Sequence, residues 1–110
     1  MFKANPNRTF TRTVTVYTPS ESNPKAHTKG EFRAEFKQLS ESRIEELQQE
    51  GDSKFLDEVL LGAREVGDEN GDELPSDQAV QVIKEDSCAA AATVSEYINS
   101  TIRKNATRKN

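Results

Sequence analysis

The hydrophobic period of this chain changes once, at Leu39, and that change limits the folds open to it. Before Leu39 apolar side chains recur at every second residue, and after it they recur three and four apart. Residues 9–18, TFTRTVTVYT, place Phe10, Val14 and Val16 on one side and Thr9, Thr11, Thr13, Thr15 and Tyr17 on the other. That is the pattern of a strand with one buried face, and Arg12, the polar intruder on the apolar side, suits a strand edge. Residues 31–37, EFRAEFK, repeat it with Phe32, Ala34 and Phe36 inward and Glu31, Arg33, Glu35 and Lys37 outward, so two strands are expected to pair. The segment between them, PSESNPKAHTKG, has two prolines and no periodicity and reads as a loop. Its histidine, His27, the only one in the chain, is expected at the surface.

Beyond Leu39 the punctuation is that of short helices. Ser40 is placed to cap a helix over 41–50, with Leu39 and Ile44 as a hydrophobic staple, Leu47 continuing the face and Gly51 ending it. A second helix over 53–61 carries Phe55, Leu56, Val59 and Leu60 on one face, and Gly62 reads as its stop. Asn70-Gly71, between Val66 and Leu74, is a type I′ turn signature. Leu74-Pro75-Ser76 then offers Ser76 as the cap of a helix over 77–85 bearing Ala79, Val80, Val82 and Ile83. Asp86-Ser87 opens the longest helix, 88–103, whose predicted apolar face is Ala91, Val94, Ile98 and Ile102, with Tyr97 at its edge. Helices this short need tertiary packing to persist. The expected fold is α+β: an N-terminal two-stranded antiparallel β element followed by about four short helices. It forms a single domain over 1–103, with a disordered basic tail over 104–110.

Composition narrows the function. A 110-residue chain buries about two thirds of its unfolded surface. With 33% apolar residues, 31% charged residues and no Trp, the core must be thin, and apolar stripes on it are candidates for partner contact as well as for packing. The net charge of −4 argues against a nucleic-acid partner, although Arg103, Lys104, Arg108 and Lys109 crowd the end; a regulator using that tail would bind DNA in a salt-sensitive way. Cys88 has no second cysteine to pair with and, beside Ala89–Ala92, reads as a small buried hydrophobe. The first residues, MFKANPNRTF, lack a signal-peptide core and no run of about 18 apolar residues exists, so a cytosolic protein with no membrane association is expected.

Catalytic chemistry finds little to work with. One histidine leaves little scope for a His-based triad, and the Glu45, Glu46 and Glu50 carboxylates lie on polar faces of a short helix rather than in an apolar pocket suited to acid–base work. No P-loop or dinucleotide fingerprint is present. The acidic cluster Asp68, Glu69, Asp72 and Glu73 around Gly71 fails the calcium-loop pattern, whose first position would be Val66 and whose closing Glu would be Asp77. No enzyme, no cofactor and no metal site is expected.

The order of parts resembles the tail assembly chaperones of long-tailed bacteriophages. The likeness starts in an N-P-x-R-T-F-T-x-T-V-T-V strand (Asn5 to Val16) and passes through the F-x-A-x-F pattern at Phe32, Ala34 and Phe36. It reaches the F-L-x-x-V-L-x-G run at Phe55 to Gly62 and ends in the D-E-N-G-x-x-L-P turn at Asp68 to Pro75. Two departures are Ala63, where the family often has Trp, and Ser76, where it often has an aromatic residue. The resemblance implies a small factor in the host bacterial cytoplasm that binds and solubilises the tape measure protein. It further implies recruitment of the tail tube protein and absence from the mature virion, and many members of the family are also made as a longer frameshifted form that could carry out that recruitment. A homo-oligomer is compatible with it. The expected contact residues are Phe55, Leu56, Val59, Leu60, Val94, Ile98 and Ile102, packed against an amphipathic tape-measure helix. The alternative is a minor structural tail or connector protein of the virion.

Overall fold

The computed structural model describes residues 1–2, 8–20 and 27–103; the expectations for the His27 side chain and for a tail over 104–110 lie outside them. Strands β1 (Thr9–Pro19) and β2 (His27–Lys37) pair antiparallel from Thr9↔Lys37 to Pro19↔His27. Both extend further than their alternation suggests and shorten the loop between them. Their inward faces are those expected: Val14, Phe32, Ala34 and Phe36 are buried, and Phe10 and Val16 are half-buried against the same core.

The two-stranded element is in fact a three-stranded sheet. Helix α1 (Glu41–Glu50) begins as expected, with Ser40 Oγ accepting the Arg43 N–H, and Gly51 at φ 102° turns the corner into helix α2 (Asp52–Val59). The Leu60 N–H still donates to the Leu56 carbonyl, but Leu60 is extended and opens strand β3 (Leu60–Arg64), antiparallel to β2 in the order β1-β2-β3. Main-chain groups on the far side of β2 need partners, and β3 supplies them between Arg33 and Phe36. Glu35 pairs with Gly62 and Phe36 with Leu60, so Leu61 is the extra residue of a β-bulge. The bulge lets Leu60 and Ala63, three residues apart, both point into the core while Leu61 is 48% exposed. Gly62 is therefore a strand residue and not a helix stop. A Cβ there would lie 2.9 Å from Ser76 Oγ and 3.4 Å from Glu35 Oε1.

Ser76 also departs from its expected role. It is the first residue of helix α3 (Ser76–Glu85), behind Pro75, and its Oγ accepts the Ala63 N–H at 3.0 Å, closing the outer edge of β3. In the hairpin before it, Gly71 has φ 84° but Asn70 does not have positive φ. The bonds from Gly71 N–H to the Asp68 carbonyl and from Asp68 N–H to the Asp72 carbonyl define a type I turn closed by a glycine bulge in place of type I′. Asp68 Oδ1 accepts the N–H groups of Asn70 and Asp72, which gives this acidic residue a structural role in the turn.

Helix α4 (Ser87–Ile98), capped by Asp86 on the Ala89 N–H, runs into a π turn over Asn99–Arg103. Its buried face is Ala90, Thr93, Tyr97 and Thr101, rotated by one residue from the expected face, and Ala91 is exposed. Thr93 Oγ1 donates to the Ala89 carbonyl at 2.6 Å and Thr101 Oγ1 to the Tyr97 carbonyl at 2.8 Å, so both hydroxyls are satisfied inside the helix and can be buried. Tyr97 is fully buried at the centre of the core rather than at its edge. Its ring lies 5.3 Å from Phe36 and 5.4 Å from Phe55, both edge-on, and 5.7 Å from Phe10.

Two predictions follow from the Gly62–Ser76 contact. Gly62→Ala should destabilise the chain by about 1–3 kcal/mol, because a methyl group enters occupied space. Ser76→Ala should cost about 1 kcal/mol by stranding the Ala63 N–H. Removing the Ser76 hydroxyl also removes what the new methyl group meets, so urea melts of the double variant should show a loss smaller than the sum of the two.

Candidate docking surface

The seven residues expected to touch a partner divide into two sets. Phe55, Leu56 and Val59 have no exposed surface and Leu60 is 5% exposed. They are core and lie out of reach of a partner on the folded chain, because α2 is packed against α1, α3 and α4 and also reaches the sheet. Its polar side is tied down by ion pairs. Arg43 of α1 grips Glu58 with two bonds, Nε to Oε2 at 2.8 Å and Nη2 to Oε1 at 2.6 Å, and Lys84 of α3 reaches Asp57 at 2.7 Å. Val94, Ile98 and Ile102 are half-buried, spaced four apart on one side of α4 and the π turn, and keep part of their surface in water.

A groove that sequence reasoning missed lies at the other end of α4. It encloses about 210 Å³ where the far end of the β1–β2 ladder meets the 65–74 hairpin and the α3–α4 corner, and its apolar lining includes Val16, Phe32, Val66, Val82, Ile83 and Ala89. Val82 is 44% exposed, and Glu31, Glu65 and Asp86 stand around the apolar floor. Its residues come from five separate segments, so no periodicity could have assembled it. The one available signal was Val82, which shares a helix with Ala79 and Ile83 but points off their buried face.

A second, polar cleft of about 490 Å³ opens near β3, lined by Thr11, Arg33, Glu35, Gly62, Arg64 and Ser76 among others. Arg33 and Arg64 stand directly opposite each other in the β2–β3 register, a like-charge pairing that weakens the sheet locally. Cys88 is half-buried, more exposed than expected. Among the described residues no group of three or more His, Cys, Asp or Glu side chains is arranged to hold a metal ion, and no helix is long and apolar enough to cross a membrane. Comparison with protein-family models, with curated proteins and with solved structures finds no match.

The Arg43 guanidinium holds the Glu58 carboxyl below the usual carboxylate range, chiefly by hydrogen bonding, and is itself held further above its ordinary value by Glu58. A depressed carboxyl contributes stability that is present above the unfolded value of 4.5 and is lost as pH falls through the folded one. Urea midpoints measured from neutral to acid pH should therefore fall less steeply below the carboxylate range in Glu58→Gln than in the parent chain.

Proposed function

We propose that this protein is a tail assembly chaperone of a long-tailed bacteriophage. In this reading it binds the tape measure protein in the host cytoplasm, keeps that long helical chain soluble and helps bring tail tube subunits to it. It leaves before the particle is complete. The observation that carries the reading is the order of motifs along the chain, from the N-P-x-R-T-F-T-x-T-V-T-V run at Asn5 to Val16 through to Leu74-Pro75. The geometry supports it by tying those motifs into one unit. The F-L-x-x-V-L-x-G run supplies both α2 and β3, the D-E-N-G segment makes the hairpin, and the residue after Leu-Pro closes β3 at Ala63.

Docking then falls to what the core leaves outside. The groove around Val82 and the stripe of Val94, Ile98 and Ile102 are apolar surfaces on a heavily charged domain, suited to the i, i+3, i+4 anchors of an amphipathic helix. Phe55, Leu56, Val59 and Leu60 serve this function from inside, by holding α2 and β3 in place. The net charge of −4 favours a soluble complex. The protein needs no catalytic group for this work.

Co-expression with the tape measure protein tests the reading. The expected result is a soluble complex that co-purifies, with the tape measure protein found in the pellet when expressed alone. Val82→Asp together with Ile98→Asp should reduce recovery of the complex at least tenfold while the circular dichroism melt of the chain alone shifts little. A tape measure protein that stays insoluble, together with this chain in purified particles, would replace the chaperone by a minor structural component.

A further inference from the structure

Strand β1 forms one edge of the sheet, and among the described residues no further strand pairs with its outer side. On the rung next to Thr9↔Lys37, the Gln38 N–H donates to the Arg8 carbonyl at 2.9 Å. In an antiparallel ladder this sets the parity of the strand: even-numbered residues of β1 exchange hydrogen bonds with β2, and odd-numbered ones turn their N–H and C=O groups away from it. The Arg12 guanidinium resting on the Thr11 carbonyl at 2.9 Å agrees with that parity. Among the described residues no other group bonds the outward main chain of Thr9, Thr11, Thr13, Thr15 or Tyr17.

Open edges on monomeric proteins are usually blunted by lysine, proline, a bulge or brevity. The β3 edge is partly closed by Ser76. From Thr9 to Thr18, β1 has a regular register, no proline and no lysine. Its one charge, Arg12, lies 5.2 Å from the centre of the Phe10 ring. The open run from Thr9 to Tyr17 is roughly 27 Å long at the usual rise per residue.

We propose that two copies of this chain pair through β1, antiparallel about a two-fold axis at Thr13, to make one continuous six-stranded sheet. A second copy is favoured over an unrelated peptide by the symmetry of the strand about Thr13. In that register Thr11 stands opposite Thr15 and Thr9 opposite Tyr17 on the outer face, while Phe10 meets Val16 and Arg12 meets Val14 on the inner face. No like charges oppose each other, and threonine–threonine and aromatic–aliphatic pairs are favourable across strands. Phe10 and Val16 are half-buried apolar side chains on the edge strand, and each gains the other as cover. The odd-numbered residues supply about ten interstrand hydrogen bonds, and the two-fold closes the assembly at two chains. This pairing does not depend on the tape-measure reading, since it uses the β1 edge and shares only Val16 with the groove around Val82.

Sedimentation equilibrium of the full chain at high micromolar concentration tests the proposal. The expected mass is twice the 12.3 kDa of one chain. Thr13→Pro removes an outward N–H and no bond to β2, so it should give a folded monomer. Thr13→Lys, which places two ammonium groups at the axis, should do the same and decides the matter if the proline variant fails to fold. In a Cys88→Ser background, oxidised Thr13→Cys should form a covalent dimer while Thr9→Cys, whose symmetry mate is Tyr17, should not. A wild-type chain that sediments at 12.3 kDa overturns the proposal. So does a dimer that survives Thr13→Lys.

Discussion

The fold depends on the hydroxyl of Tyr97. It donates to the Lys37 carbonyl at 2.9 Å and accepts the Leu39 N–H at 3.0 Å, at the point where β2 gives way to α1. Those main-chain groups lie beyond the last β3 partner, Leu60 opposite Phe36, so the β2–β3 ladder does not reach them. One side chain from the last helix therefore finishes the sheet and starts the helical half. Its ring meanwhile meets Phe10 of β1, Phe36 of β2 and Phe55 of α2. In a chain with no Trp and a thin core, this aromatic cluster joins the layers. Burial pushes the Tyr97 phenol above its ordinary value of 10.0, so this contribution is complete below that value and is lost as pH rises through the folded one.

The motifs that prompted the family resemblance turn out to be structural in their local effect. Gly62 is required because α3 starts against it, Asp68 because it staples the hairpin, and Phe55 to Leu60 because they fill the core. The proposed docking surface centres on other residues, Val82, Val94, Ile98 and Ile102, which keep part of their surface in water. Contact residues of this kind can vary with their partner while the scaffold is held by packing.

How much of this was legible in the sequence depended on whether local period and tertiary position agreed. β1, β2, α1 and the Asp86 cap were readable because alternation, staple and capping residues all act locally. β3 was hidden by its bulge: Leu60 and Ala63 share a face at a spacing of three, so the segment looks like the end of a helix and its glycine like a stop. The buried face of α4 was misplaced by one residue because Thr93 and Thr101 count as polar in a sequence, while in the helix their hydroxyls bond back to their own turn. The Val82 groove was beyond reach, since its walls come from segments that only the folded chain brings together.

Hydrogen exchange at the Leu39 amide, compared between the parent chain and Tyr97→Phe, tests the central role of Tyr97 most directly. This amide should be protected in the parent chain to a degree comparable with the β1–β2 ladder. In the variant it should lose that protection, and the chain should lose about 1–3 kcal/mol of stability. Fast exchange at Leu39 in the parent chain, or a Tyr97→Phe melt that superimposes on the parent curve, would contradict it.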